Sequence, residues 1–369
     1  MKFHAAILAT LSSIAAIGPG LSQTNDANAI LERINLPDGF SISVFAQMPR
    51  ARGIAVDGES GTVYVGSSGS TIYTATDADG DGAADAVQTP GTDLSLPSDI
   101  AIHESGLFIG LVDQVARSAN AGDRLAPLEP VLTGITPSRH HGRRIVEFGP
   151  DGKLYVALGA PCNICALDDV TGKIVRLNAD GSDVELVADG IRNSVGFDWH
   201  PVTQDLWFTD NGADGMGDDI PPDELNRVSF TGEHFGFPYF GGDGIPLPGF
   251  ASQTPPMETT SPEIAFQAHT ASLGIDFYSG DMFPADYKND AFVAQHGSWN
   301  RSVPVGYRIM RVLFDEAGNP TSTEVFADGW LDANGRTHGR PVDLEELPDG
   351  SLLVSDDHAG LVYRITYDR

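Results

Sequence analysis

Residues Asp189 to Asn226 read DGIRNSVGFDWHPVTQDLWFTDNGADGMGDDIPPDELN, and this stretch sets the pattern for the whole chain. An Arg-Asn pair, Arg192 and Asn193, leads into an apolar strand from Val195 to Trp199. A His-Pro turn follows, then a second strand from Leu206 to Thr209. The exit loop holds Asp210, Asn211, Asp214, Asp218, Asp219, Asp223 and Glu224. A hairpin with a cation at its mouth and carboxylates and carbonyls at its exit can hold a charged ligand or a metal. Taken alone, the stretch favours the simpler reading, one blade of a larger β-assembly with a polar loop.

Working outward, the same unit recurs: an alternating apolar strand, a D-G or similar turn, a second strand, and a third that often ends in a basic residue. Such units begin at Gly53, Ser98, Arg144, Val195, Leu273 and Pro341. Six units at a spacing of roughly 45 residues, insertions apart, are a propeller repeat. Period-2 alternation lets each sheet bury its faces on its neighbours. The expected fold is therefore all-β, a six-bladed β-propeller. The last strand, Leu361 to Tyr367, is expected to pair with the chain start near Ile42 to Phe45 and latch the ring. Gly241 to Pro262, rich in Gly, Pro and Thr, reads as an insertion over one face, and long loops of this kind are often functional.

The domain division follows. Residues 1–23 read as a signal peptide: Lys2 and His4, an apolar run from Ala5 to Ile17, and a small-residue exit at Gly18 to Ser22. The run is too short to span a bilayer comfortably. Residues 24–35 form an N-terminal leader and 36–369 the propeller. The expected location is periplasmic or secreted, with no membrane span. Gly and Pro number 42 and 24, which suits short strands and tight turns. The formal net charge of -29 argues against nucleic acid or an anionic membrane as partner. The two cysteines, Cys162 and Cys165, stand as C-N-I-C. A metal site would need two more soft ligands and a redox motif a βαβ context, so a disulfide clip across the loop is the expectation.

Several constellations carry chemistry. Arg139-His140-His141-Gly142-Arg143-Arg144 precedes the third unit, and guanidinium neighbours push a histidine towards its neutral form, as a general base requires. The alternative is a solvated surface turn. Arg52, Arg192 and Arg340 stand at the same relative place in other units, with His338 beside Arg340. Arginines converging on one end of the axis call for an anionic ligand, unless each pairs locally with a carboxylate. His296-Gly-Ser-Trp-Asn-Arg301 offers Trp299 for stacking on a planar ligand or a sugar. Asp77, Asp79, Asp81 and Asp85 form a D-x-D-x-D-G-x-x-D loop, which matches either a structural Ca²⁺ site or a solvated acidic turn.

These residues resemble a known family. D-G-I-R-N-S-V-G-F-D-W-H-P, F-T-D-N-G-A-D with D-E-L-N, H-G-S-W-N-R, G-R-P-V-D and P-D-G-S-L-L-V-S-D-D are similar to motifs of the soluble quinoprotein sugar dehydrogenases, over Leu36 to the chain end. C-N-I-C fits the sorbosone dehydrogenase-like branch. The resemblance implies a six-bladed propeller that binds pyrroloquinoline quinone (PQQ) and Ca²⁺ and oxidises an aldose or related sugar. It implies His140 as the general base, with adjoining His141 as the alternative. It implies Arg52, Arg192, Asn193, Asn211, Ser272, His296, His338 and Arg340 as cofactor contacts, and the carbonyls of Gly212 and Ala213 as ligands of the cofactor's Ca²⁺. The partners it implies are a small sugar and an external electron acceptor, a quinone or a cytochrome. Two other readings of the propeller stand beside it: a Ca²⁺-dependent lactonase or esterase, and a non-catalytic sugar- or protein-binding module.

Overall fold

The computed structural model describes residues 27–119 and 124–368; the expected signal peptide lies outside them. Six four-stranded antiparallel blades follow in chain order. Their innermost strands are Ala51–Val56, Asp99–His103, Arg144–Phe148, Phe197–Trp199, Ser272–Phe277 and Pro341–Glu346, for blades 1 to 6. The expected propeller is observed. Blade 6 is closed by the chain start: Phe40–Gln47 pairs antiparallel with Leu361–Tyr367, with Ile42 opposite Ile365 and Val44 opposite Tyr363. This latch joins the two ends of the ring and removes two open sheet edges.

Alternation on the strands produces one apolar cluster per seam between blades. Tyr64 and Ile72 of blade 1 pack with Ile100 and Ile109 of blade 2. Phe108 packs with Val146 and Val156 across the next seam, and Tyr155 with Phe197 and Phe208 across the third. Trp207 and Leu225 meet Phe277 and Val293; Tyr278 and Phe292 meet Leu344 and Tyr363; Ile54 and Val65 meet Leu353 and Val362. Each fully buried side chain of this size contributes about 1.5–3 kcal/mol, so the ring is held by six comparable cores. Residues 27–31 are helical, and Ala27 and Ile30 pack into the seam of blades 5 and 6. The leader is thus attached to the propeller. No helix among the described residues is long and apolar enough to cross a membrane.

The fourth, outermost strands carry no clear alternation in sequence. Ala86–Gly91, Glu129–Leu132 and Pro320–Ala327 are exposed along much of their length. The insertion after blade 4's third strand folds back on its surroundings. Glu233–His234 adds a parallel strand to the edge of blade 3, and Phe240–Gly241 forms a small hairpin with Ile245–Pro246.

Carboxylates tie the innermost strands together around the axis. Asp343 Oδ2 accepts from Ile54 N at 2.8 Å, Asp99 Oδ2 from Val146 N at 2.8 Å, and Asp198 Oδ2 from Phe277 N at 2.6 Å. These bonds join blades 6 to 1, 2 to 3 and 4 to 5. With Glu147, Asp276 and Glu345 they line a central cavity of about 210 Å³. Burial pushes Asp198 and Asp343 up to about 6, and Glu147, Asp276 and Glu345 well above the carboxylate range.

Candidate active site

Residues just before the innermost strands gather at one end of the ring. A cleft of about 310 Å³ opens there, lined by Arg139, His140, His141, Arg143, Arg192, Asn193, Asn211, Gly212, Asp214, Asp223, His269, Ala271, Trp299 and Asn300. Trp299 is 75% exposed, so its ring face is free for a ligand.

The loop before blade 3 sorts its basic residues into separate tasks. Arg144 is fully buried and donates to the carbonyls of His141 at 3.0 Å, Val112 at 3.1 Å and Thr136 at 3.2 Å. It holds the loop in shape and touches no ligand space. His141 sits in the left-handed region (φ 50) with Nδ1 2.9 Å from the Ala160 carbonyl. That bond places the proton on Nδ1 and leaves Nε2 with a lone pair. Burial, then the charges of Arg192 and His140, push its pKa down to about 2, so the ring is neutral. His140 is exposed, its ring centroid 4.1 Å from that of His141.

Arg192 is occupied by the protein. Its Nε donates to Asn163 O at 3.0 Å, Nη1 to Asn211 O at 3.1 Å, and Nη2 to Asn163 Oδ1 and Asp214 Oδ2, both at 2.8 Å. Asn163 lies inside the C-N-I-C loop, and Cys162 and Cys165 are joined as a disulfide. Asn163 also accepts from Asp214 N at 2.8 Å and donates to Asp214 O at 2.9 Å. The clip therefore presents Asn163, which binds Arg192 and the loop after blade 4's second strand. Arg192 can lend its charge to the cleft, but its expected role as a hydrogen-bonding cofactor contact is largely taken up by this structural set.

The loop from Asn211 to Asp214 is anchored from below. Asp210 accepts Arg192 N at 2.8 Å and Asn193 N at 2.6 Å. Asp223 accepts Gly212 N at 2.9 Å, Ser272 N at 3.1 Å and Thr270 Oγ1 at 3.0 Å. Gly212 passes so close to this strand that a Cβ would stand 2.6 Å from the Pro222 carbonyl, so only glycine fits. Asn193 Nδ2 donates to Asn211 Oδ1 at 3.1 Å, and Asn211 Nδ2 to Ser272 O at 2.6 Å. Gly212 lines the cleft, while Ala213 packs beneath it with Ala160, Phe237 and Leu247.

A second cationic group lies beside the cleft. Arg52 Nη1 pairs with Asp357 Oδ2 at 3.0 Å, and His296 Nε2 lies 2.8 Å from Asp357 Oδ1. Arg340 Nη1 lies 3.4 Å from His296 Nδ1 and donates to Gly297 O at 3.1 Å. Its Nη2 donates to Tyr307 Oη at 3.2 Å. Burial tends to raise the Asp357 pKa, but His296 and the Arg52 charge outweigh it and hold the carboxyl well below its usual range. Burial lowers His296.

Two expected contacts are not in place. Ser272 is fully buried, its Oγ 3.3 Å from both Thr270 Oγ1 and Gln295 Nε2, so its side chain fastens strands and faces no cleft. His338 turns to Asp332 Oδ2 at 3.1 Å within its own loop. In the acidic loop, Asp77, Asp79 and Asp85 present oxygens within 4.8 Å of one another; Asp81 is outside that group and accepts from Ala83 N at 2.9 Å. Residues missed from sequence are Asn163, His269 and Asp357, and the anchoring roles of Asp214 and Asp223 within the exit loop. Asp214 and Asp223 stand inside the opening stretch and Asn163 between the cysteines, so position beside a motif was the available signal.

The model of the glucose / sorbosone dehydrogenase family matches residues 110–364. An uncharacterized protein of Borreliella burgdorferi is 34% identical over 365 residues, covering 94% of each chain. The calcium structure of a Trichoderma reesei enzyme of carbohydrate-active enzyme family AA12 superposes with a TM-score of 0.79 at 21% identity, over 91% of this chain and 97% of that one. The holo form of the PQQ domain of pyranose dehydrogenase from Coprinopsis cinerea gives 0.75 at 20% identity, over 90% and 97%. The structural likenesses bear on the fold alone; the family match, over most of the chain, places this propeller in the glucose/sorbosone dehydrogenase family.

Proposed function

We propose that this chain is a PQQ- and Ca²⁺-dependent dehydrogenase that oxidises a carbinol of a sugar. The observation that carries the reading is His141: a neutral imidazole with Nδ1–H tied to Ala160 O and Nε2 left as an acceptor, in a cleft flanked by guanidinium groups. The residues present fit a polyanionic cofactor. In a chain of net charge -29, Arg52, Arg143 and Arg340 gather at the mouth around one carboxylate, Asp357. Arg143 faces the Arg52 charge and an Asp357 already paired with Arg52, an excess that an anion would balance. The Asn211–Asp214 loop, held by Asp223 and Arg192, supplies fixed backbone carbonyls, the donor type that Ca²⁺ takes.

When bound, PQQ would supply an electrophilic two-electron acceptor that an external acceptor could reoxidise, and Ca²⁺ would supply a positive charge beside it. The protein's part is positioning and proton transfer. His141 Nε2 takes the hydroxyl proton of the sugar. Arg52 and Arg340 would face cofactor carboxylates, and Gly212 with Ala213 would offer carbonyls to the cation. Trp299 would cover one face of the ligand. His141 takes the base role in preference to His140, because His140 is exposed and has no bond fixing its tautomer. A calcium lactonase would want free carboxylates at the open end of the axis, whereas Asp214 there accepts from Asn300 Nδ2 and Arg192 Nη2, and Asp223 from Gly212, Ser272 and Thr270. Export to a periplasmic or secreted location is proposed on the signal-like segment and the disulfide.

The paired variants His141→Ala and His140→Ala test the assignment. His141→Ala should lower dye-linked turnover by about 10²–10⁴-fold while PQQ uptake persists, and His140→Ala should leave most of the turnover. The reverse pattern would move the base to His140.

A further inference from the structure

The arginines of the mouth differ in what holds them. Arg52 is paired with Asp357 and Arg192 with Asp214. Arg144 donates to three carbonyls, and Arg340 to Gly297 O and Tyr307 Oη. Arg143 has no such set. Among the described residues it makes no hydrogen bond and no ion pair, and its Nε is buried without a partner. It lines the cleft together with His140 and His141. The nearby charges do not satisfy it. Arg52 repels it, and Asp357, which attracts it, already spends both oxygens on Arg52 and His296.

A guanidinium in this position is costly to the empty protein. It faces a second guanidinium, and its Nε has lost water without gaining an acceptor. The cost is removed if a planar, two-oxygen anion arrives from the cleft side, because a carboxylate matches the guanidinium fork. We propose that Arg143 is the receptor for a carboxylate of the bound ligand, either of the quinone cofactor or of an acidic sugar substrate such as a uronate or aldonate. This deepens the quinoprotein reading and rests on it for the identity of the ligand. The chemistry of Arg143 itself requires only a carboxylate presented at the mouth. Arg192, which the resemblance implies as a cofactor contact, is left as the charge behind His141, and the free fork belongs to the neighbouring loop.

The experiment compares wild type, Arg143→Ala and Arg143→Lys as apo-proteins. Each is titrated with PQQ in the presence of Ca²⁺, followed by quenching of tryptophan fluorescence, and separately with pyridine-2,4,6-tricarboxylate, a probe without a quinone. If the carboxylate is the cofactor's, Arg143→Ala weakens PQQ binding about 10- to 100-fold and Arg143→Lys recovers part of the loss, as expected for a charge-assisted contact. If it is the substrate's, PQQ binding is unchanged and the ratio of kcat/KM for a uronate over its neutral aldose falls by a similar factor. A melting scan separates binding from scaffolding: apo Arg143→Ala melts no lower than wild type, since it loses a repelled cation with no partner. If wild type binds the tricarboxylate in an Arg143-dependent way but takes up no PQQ, the quinoprotein reading fails and the assignment of Arg143 stands. If Arg143→Ala leaves PQQ binding, tricarboxylate binding and the uronate preference all unchanged, or if it melts well below wild type, the assignment is overturned.

Discussion

Replacing Asp223 by alanine should loosen the carbonyl loop of the cleft without touching any ligand. Asp223 is 1% exposed and accepts three hydrogen bonds, from Gly212 N, Ser272 N and Thr270 Oγ1. It ties the loop after blade 4's second strand to the start of blade 5. Asp223→Ala leaves two backbone N–H groups without an acceptor, each costing about 1–3 kcal/mol when it stays buried, while the Thr270 hydroxyl keeps the Gln267 carbonyl at 3.2 Å. Two effects reduce the sum. The buried carboxylate is itself disfavoured, which is why burial raises its pKa, and a water can occupy the vacated space and satisfy part of the set. The net destabilisation should be about 2–4 kcal/mol, a drop of roughly 1 M in the urea midpoint. Asp223→Asn keeps one acceptor oxygen but turns an NH₂ towards an N–H donor, so it should fall between wild type and alanine. The paired readout is Ca²⁺ affinity by calorimetry in the presence of PQQ, which should weaken about tenfold or more as Gly212 loses its anchor. An unchanged urea midpoint together with unchanged Ca²⁺ affinity would refute the view that Asp223 positions this loop.

Stability should fall as pH rises above the acid range. Burial holds Asp198, Asp210 and Asp343 at about 6 and Glu224 at about 8 in the folded protein, above their unfolded values near 4. Each therefore favours folding fully below about pH 4, and its contribution is lost as pH rises through 6, or 8 for Glu224. A melting temperature higher at pH 5 than at pH 8 in low salt is expected, and one that rises steadily from pH 5 to pH 8 would contradict the placement of these carboxylates. Asn163→Ala removes the acceptor for Arg192 Nη2 and Asp214 N while leaving the disulfide in place; it should cost about 1–3 kcal/mol in urea unfolding. Loss of that stability only on reduction of Cys162–Cys165, and not in the variant, would assign the clip a role independent of Asn163.

The ring was legible because the second strand of each blade is buried on both faces, and that requirement writes a short, near-continuous apolar run bounded by turns into Val63–Ser67, Leu154–Leu158 or Leu352–Asp356. The outermost strands face solvent and carry no such constraint, so Pro320–Ala327 could not be told from a loop. The convergence of basic residues at one end was also legible, since it follows from their shared place before the innermost strands. The division of labour among them was not. Whether an arginine is free depends on partners far away in the chain: Asp357 stands 305 residues from Arg52, and Asn163 stands 29 residues before Arg192. Adjacent histidines pose the same problem, since the Ala160 carbonyl that fixes the His141 ring stands 19 residues away.

The central claim, that the cleft is built for a quinone cofactor and a sugar, is tested most directly by reconstitution. Apo-protein is mixed with PQQ and Ca²⁺, an aldose or uronate is added, and the quinone absorbance and the bleaching of a dye acceptor are followed together. The account predicts stoichiometric uptake of PQQ, loss of the oxidised-quinone absorbance on adding sugar, and dye reduction that requires both additions. Failure of the protein to take up PQQ at micromolar concentration with Ca²⁺ present, or uptake with no sugar-dependent change for any aldose or uronate, would contradict it.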